Sequence, residues 1–380
     1  MSSPKVKNEV LKTIKTINAK YATTVIMVSH QPEIQEYLAD RIMLMYNGKV
    51  EQVDSPDTVI SNFLKDEVDE YPIADLKRNE TIIKVENLTK DFYLYKGGHV
   101  LTIEDVTFNV NRGEILSIIG STGSGKTEIL KMIAGFEKAD SGKIKILTND
   151  TWTDMTDYGE NRMNIRKNMG FMHQEFALTP HTPIIEQIAT HLSPKTDETY
   201  ENAVKIAKEA GISDETLDVL YQLTDLSRNE AIIKLEKLNL SPEILNILFP
   251  PTKTEEVIEK ITPIFDALDL PLPLLNRQFI ELSGGQKVRV AIATVLASNP
   301  EILILDEPFG DLDPLTLRIV ANSLKKINEK FETTIILVSH TMDFVKEVST
   351  RSILINNGKL VLEAKPTKAI NKFIEIEELE

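Results

Sequence analysis

The 380-residue chain contains no cysteine. That absence excludes disulfides, thiolate zinc sites, a catalytic thiol and any iron–sulfur cluster ligated by this chain, and it fits a reducing, cytoplasmic setting. Long hydrophobic runs are missing too: none approaches the roughly 18 to 20 residues that cross a bilayer, and Met1 to Val10 lacks the apolar stretch of a signal peptide. The expectation is a chain with no direct membrane insertion and no export. Positive charge is scarce, with 43 Lys and Arg against 58 Asp and Glu and a net charge of −15. Nucleic-acid binding draws on clustered cations, so this balance argues against a nucleic-acid partner. What is present, 42% hydrophobic and 27% charged residues, is the composition of ordinary globular domains. At about 150 residues per domain the length allows two to three.

The sharpest local signal is Ile115-Leu-Ser-Ile-Ile followed by Gly120-Ser121-Thr122-Gly123-Ser124-Gly125-Lys126-Thr127 and then Glu128-Ile-Leu-Lys-Met-Ile. It reads as a buried β-branched strand, a tight glycine loop and an amphipathic helix, the context a phosphate-binding loop requires. Glycine lets successive N–H groups turn inward toward phosphate oxygens, and the helix adds its positive end. In that geometry Lys126 bridges the β- and γ-phosphates and the Thr127 hydroxyl sits on Mg²⁺. A second apolar run, Glu301-Ile-Leu-Ile-Leu-Asp306-Glu307-Pro308, reads as a central parallel strand ending in two acids. Asp306 is placed to hold Mg²⁺ through water and Glu307 to polarise an attacking water. Between Lys126 and Leu282 lie 155 residues, room for an intervening subdomain, and then Leu282-Ser283-Gly284-Gly285-Gln286 opens a helix as a second anion-binding end.

Taken in order, these motifs resemble those of the ATP-binding-cassette (ABC) ATPases. By that resemblance Gln174, in Met169-Gly-Phe-Met-His-Gln-Glu-Phe, is the Q-loop residue and a further Mg²⁺ contact. Asp313, in Gly310-Asp-Leu-Asp, is the D-loop residue, although Gly310 and Asp311 depart mildly from the commonest form of that loop. His340, ending Thr333-Thr-Ile-Ile-Leu-Val-Ser-His, is the switch histidine that senses the γ-phosphate. Phe92 is the aromatic that stacks on adenine, with Tyr93 as a competing candidate. The resemblance implies an α/β fold of the P-loop NTPase class. Its parts are a RecA-like core, an antiparallel β-subdomain near residues 81–111 and 138–160, and a helical subdomain between Gln174 and Leu282. It also implies that MgATP is sandwiched between two cassettes, with Ser283, Gly284 and Gly285 acting in trans and Gln286 among the nucleotide-binding residues.

Shifted by 310 residues, Thr23-Thr-Val-Ile-Met-Val-Ser-His30 falls on Thr333 to His340, and from Val10 to Leu64 there are 19 identities in 55 ungapped positions. That is an internal repeat. Residues 1–65 therefore resemble the last strand–helix piece of a first cassette whose body is absent, residues 66–80 an acidic linker, and residues 81–380 a complete cassette. Alone, such a piece is expected to expose the faces that would pack on the missing sheet. The second cassette a sandwich needs is then either another copy of the chain or a completed first cassette.

Between Gln174 and Leu282 the chain is long for a transport cassette, with an insert at about 197–262. Ser227 and Thr252 fit capping boxes with Glu230 and Glu255, Pro242 fits a first helical position, and apolar residues from Leu217 to Ile261 recur at helical spacing. A self-contained helical core is expected, dispensable for nucleotide binding and needed for a partner. Asp218 to Asp225 and Leu240 to Leu245, with Met169 to Leu178 and Leu305 to Pro314, resemble one soluble tandem-cassette family. It is the ATP-binding activation component of the methyl-coenzyme M reductase system of methanogenic archaea. That resemblance implies ATP-driven reductive activation of the reductase, with electrons arriving through a separate donor protein complex because this chain has no cysteine. The competing reading is the ATPase subunit of a membrane importer, which would share every catalytic residue.

Overall fold

Three of the most apolar runs, Ile115–Ile119, Ile302–Asp306 and Thr334–Val338, are strands buried along their whole length. A strand is apolar at every position only where both faces of its sheet are covered. The structure, a computed structural model, describes residues 4–29, 31–46, 48–63, 69–74, 80–94, 98–148, 150–173, 177–226, 228–309 and 312–379. Its main sheet has six strands in the order Lys359–Ala364, Arg351–Asn356, Ile115–Ile119, Thr334–Val338, Ile302–Asp306 and Met169–Met172. All neighbours are parallel except the hairpin at the first edge. Side-chain alternation divides the strands between two cores. Ile115, Ile119, Leu303, Leu305, Ile335 and Leu337 enter one, and Leu116, Ile118, Ile302, Ile304, Ile336 and Val338 the other.

The second core is closed by the helix Lys126–Ile133 and by a four-stranded antiparallel sheet, ordered Gly98–Asn111, Thr81–Leu94, Ser141–Thr148 and Thr151–Asp154. This is the expected β-subdomain, except that the chain turns helical at Glu160, in Glu160–Lys167. The insert forms the helices Asp197–Glu209, Asp214–Leu223, Arg228–Lys237 and Glu243–Leu248 around a third core that includes Tyr200, Leu217, Leu220, Tyr221, Leu235 and Phe249. Thr196 and Ser213 cap the first two by accepting from the amides of Thr199 and Thr216, both at 3.3 Å.

Three expectations for the insert are corrected. The helix Thr254–Ala267 buries Val257 and Ile261 in the large core beside the parallel sheet, so the insert's own core ends at Phe249 and not at 262. Thr252 caps nothing: that helix starts after Lys253 with no side-chain cap, and the Thr252 hydroxyl is buried without a partner. Pro242 sits one place earlier than expected, at the cap of Glu243–Leu248. Ser227 lies outside the described residues.

At the N-terminus the chain forms the helix Pro4–Tyr21, the helix Pro32–Leu38, a hairpin Ile42–Tyr46 with Lys49–Asp54, and the helix Pro56–Phe63. The strand expected over Thr23–Ser29 is not formed; Ile26 is 93% and Val28 96% exposed. A parallel strand needs neighbours to take its N–H and C=O groups, and among the described residues no strand pairs with this segment. The described part of the linker is no free tether. The Tyr71 amide donates to Asn322 Oδ1 at 2.8 Å, and Lys325 Nζ, fully buried, donates to the Tyr71 carbonyl at 2.9 Å and to Glu70 at 3.2 Å. Both anchors lie on the helix Pro314–Phe331. Among the described residues no helix is long and apolar enough to cross a membrane.

Candidate nucleotide site

The turn that leaves the strand Ile115–Ile119 is made by glycines that no other residue could replace without strain. Gly120 has φ 151°, and a Cβ there would lie 2.0 Å from the Ile355 carbonyl oxygen; Gly125, at φ 100°, caps the helix Lys126–Ile133. Between them Gly123 is exposed and the Ser124 hydroxyl is buried with no partner. Lys126 is buried, and its Nζ donates back to the carbonyls of Gly120 at 3.0 Å and Ser121 at 2.8 Å. Burial holds its pKa below the usual lysine value, with the charges of Glu307 and Asp306 offsetting part of the effect.

Thr127 Oγ1 donates to Asp306 Oδ1 at 2.9 Å, joining the loop to the end of the strand Ile302–Asp306. Burial raises the Asp306 carboxyl above its usual range against the pull of that bond. The next residue, Glu307, sits in the left-handed region at φ 52°, a costly conformation for a side chain that re-aims it at the sheet end. Its amide donates to the Val338 carbonyl at 3.2 Å, and its Oε1 accepts from His340 Nε2 at 2.7 Å. Burial alone would raise the Glu307 carboxyl, but the His340 hydrogen bond and the attraction of His340 and Lys126 outweigh it and hold it below its usual value.

Residues 126, 127, 306, 307 and 340 thus meet because each follows one of three adjacent parallel strands, whose C-terminal ends all lie on one side of the sheet. The glycine turn, the unpartnered Ser124 hydroxyl and the buried lysine suit a phosphate chain. One hydroxyl and one carboxylate oxygen in contact suit a hard cation such as Mg²⁺.

Phe92 lies opposite Leu101 across the antiparallel sheet, and Leu101 Cδ2 is 3.4 Å from where a Cβ on Gly125 would stand. Phe92 therefore shares the sheet face that approaches the loop, partly buried against the second core, whereas Tyr93 is mostly exposed. Gln174 lies outside the described residues, as do Gly310 and Asp311. A second group forms around the helix Gly284–Leu296. Ser283 accepts from the Gln286 amide at 3.3 Å while Gln286 Oε1 accepts from the Ser283 amide at 3.0 Å, and Ser283 and Gly284 remain exposed. Asp313 caps the helix Pro314–Phe331, accepting from the Thr316 amide at 3.0 Å and the Thr316 hydroxyl at 2.5 Å. A Cβ on Gly285 would lie 2.6 Å from Thr316 Cγ2. Thr316 was not singled out from the sequence, though a cap followed by Pro314 and a hydroxyl at the third position is a readable signal.

Comparison with known proteins gives the family and the fold. Residues 103–310 match the family model described as ABC transporter. Two uncharacterised ABC transporter ATP-binding proteins of Methanocaldococcus jannaschii are 45% and 29% identical over 98% and 97% of the chain. The chain spans 66% and 59% of their lengths, less than two thirds of each. Among solved structures, the dimeric structure of a bacterial ABC transporter cassette is 25% identical with a TM-score of 0.50, covering 75% of this chain and 99% of that one.

Proposed function

Because the chain belongs to the ABC transporter family of ATP-binding cassettes, we propose that its folded body binds and hydrolyses MgATP. The observation that carries this reading is the convergence of Lys126, the Thr127–Asp306 pair and the Glu307–His340 pair at the C-terminal ends of three central strands. Lys126 and the backbone of Gly123 to Gly125 hold the phosphates, exchanging the carbonyl contacts that Lys126 makes within its own loop. Thr127, Asp306 and Gln174 would hold Mg²⁺, which would neutralise phosphate charge. Glu307, its carboxyl held below the usual value by His340 and Lys126, takes the proton of the attacking water, and His340 orients it through the 2.7 Å hydrogen bond. Phe92 stacks on adenine. The exposed end formed by Ser283, Gly284, Gly285 and Gln286 closes the γ-phosphate side of another cassette's site, and Asp313 relays between the two.

Residues 1–65 are, in this reading, the tail of a first cassette. The test is the ATP-dependent mass of the Glu307→Gln chain by light scattering, alone and in a version extended upstream. Dimerisation of the short chain makes it a homodimer; closure only in the extended version assigns the partner site to a first cassette. If neither closes while ATP is bound, the sandwich reading fails. Lys126→Ala should bind no ATP, and wild-type turnover by Glu307→Gln would remove Glu307 as the base.

At a finer level, the insert's Asp218–Asp225 and Leu240–Leu245 segments support ATP-dependent reductive activation of methyl-coenzyme M reductase together with an electron-donor complex. The names of the relatives, which are ABC transporter ATP-binding proteins, support the second reading, the ATPase subunit of a membrane importer. Inactive reductase supplied with the upstream-extended protein, ATP and a low-potential donor should gain activity in the first case. No gain, with ATPase stimulated by a membrane fraction, selects the second.

A further inference from the structure

The segment Asp218–Asp225, which marks the insert, is more than packing. Asp218 and Gln222 lie one turn apart on the helix Asp214–Leu223, Asp225 lies in the turn just past its end, and each grips a different part of the catalytic body. Asp218 Oδ2 accepts from Arg162 Nε at 2.7 Å and from the Gly159 amide at 2.9 Å. Gln222 Nε2 donates at 3.0 Å to the carbonyl of Phe136, just past the helix that begins at Lys126. Asp225 accepts from Arg166 Nη2 at 2.7 Å and from Lys195 Nζ at 2.9 Å. The backbone carbonyl of Asp225 meets His173 Nε2 at 3.1 Å.

His173 follows the strand Met169–Met172 and immediately precedes Gln174. Its ring is packed against Phe171 and Phe136, with centroids at 4.5 and 5.5 Å, and the Arg166 guanidinium lies 4.6 Å from the Phe136 ring centre. Arg162, Arg166, Asp218, Lys195 and Asp225 are all buried. Burial alone would lift the Asp225 carboxyl, but Lys195 and Arg166 outweigh it and hold it well below the usual range.

Burying three cations with two carboxylates is a poor route to stability, since an apolar interface of the same volume would dock the insert at least as well. What charged and amide bonds to backbone groups supply is a single relative placement of the parts they join. We propose that Asp225 is a positioning residue for ATP turnover, setting through Arg166 and His173 the placement of the end of the strand Met169–Met172 relative to the helix Lys126–Ile133. The insert is then a lever on the nucleotide site and not a dispensable appendage. Deleting residues 197–262 would leave Arg162, Arg166 and Lys195 buried without their carboxylates.

The proposal rests on the nucleotide-site reading above, and its test separates the two. ATP affinity by titration and steady-state hydrolysis are measured for the full chain and for Asp225→Asn, well below each melting temperature. Lys126 and its loop are untouched in the variant, so kcat should fall about tenfold or more with ATP affinity within about threefold. A kcat within about twofold of wild type would overturn the proposal. His173→Phe keeps the ring packing and the whole ion cluster, so it folds even if Asp225→Asn does not. It should show the same split between kcat and affinity, and unchanged kcat there would equally overturn the link. Failure of the unaltered chain to bind ATP would instead overturn the nucleotide-site reading and this proposal with it.

Discussion

The chain contains two related 55-residue segments, identical at 19 positions, and the two copies differ in what surrounds them. In both, a long helix ends on a residue in the left-handed region, Ala22 at φ 48° and Glu332 at φ 54°. Both carry a hairpin whose register slips at the same place, between Leu44 and Met45 and between Leu354 and Ile355. Asn18 Nδ2 donates to the Thr23 carbonyl at 2.8 Å, as Asn328 does to Thr333. Asn328 makes a second bond, to the Gly113 carbonyl at 2.8 Å, for which Asn18 has no counterpart among the described residues. Between helix and hairpin the copies part: Thr334–Val338 is a strand enclosed by two parallel neighbours, and Thr24–Val28 is irregular and exposed. Hairpins, caps and helices close their hydrogen bonds within a few residues and form in both copies. A central parallel strand has no local partner, so its structure belongs to its neighbours.

The difference should be largest in chemistry. His340→Ala is expected to slow ATP hydrolysis by about 100-fold or more, because it removes the group that holds Glu307, while His30→Ala should leave the rate unchanged. Equal losses in the two variants, read by phosphate release, would mean that the first copy takes part in a nucleotide site. Stability comes next. Ile336→Ala empties a fully buried position and should cost about 2–5 kcal/mol in chemical denaturation. Ile26→Ala, at the matching position, should stay within about 0.5 kcal/mol. A large cost at Ile26 would show that the Thr23–Ser29 segment is covered in solution. The smallest contrast is between the two asparagines: Asn328→Ala leaves the buried Gly113 and Thr333 carbonyls unpaired and should cost about 1–3 kcal/mol. Asn18→Ala, at an exposed site, should cost less than about 0.5 kcal/mol. If the two costs were equal, the second bond of Asn328 would contribute nothing.

Much of the candidate site was legible because its chemistry is written in short runs. Gly120 to Thr127 must be contiguous to wrap a phosphate, Asp306 and Glu307 must end one strand, and His340 must end the next. The antiparallel sheet and the helical insert were legible as regions, since periodicity and spacing are local properties. The insert's limit was not, because Val257 and Ile261 have the same helical spacing as Leu217 and Leu220 yet pack in a different core. Nor was the grip of Asp225 on Arg166 and Lys195, which lie 59 and 30 positions earlier in the chain. Charge patterns say that a carboxylate exists, not which buried cation it meets.

By itself, then, the sequence determined the family's loop chemistry, the strand–turn–helix units and the repetition of a C-terminal segment. These depend on glycine geometry, side-chain period and capping, which act over a few residues. Only the tertiary structure decided that Glu307 meets His340, that Asn322 and Lys325 pin the Asp69–Tyr71 stretch, and that one copy of a repeated strand forms while the other does not. Each of those outcomes depends on partners supplied from far along the chain, and the free energy of a buried contact exists only once both sides have arrived.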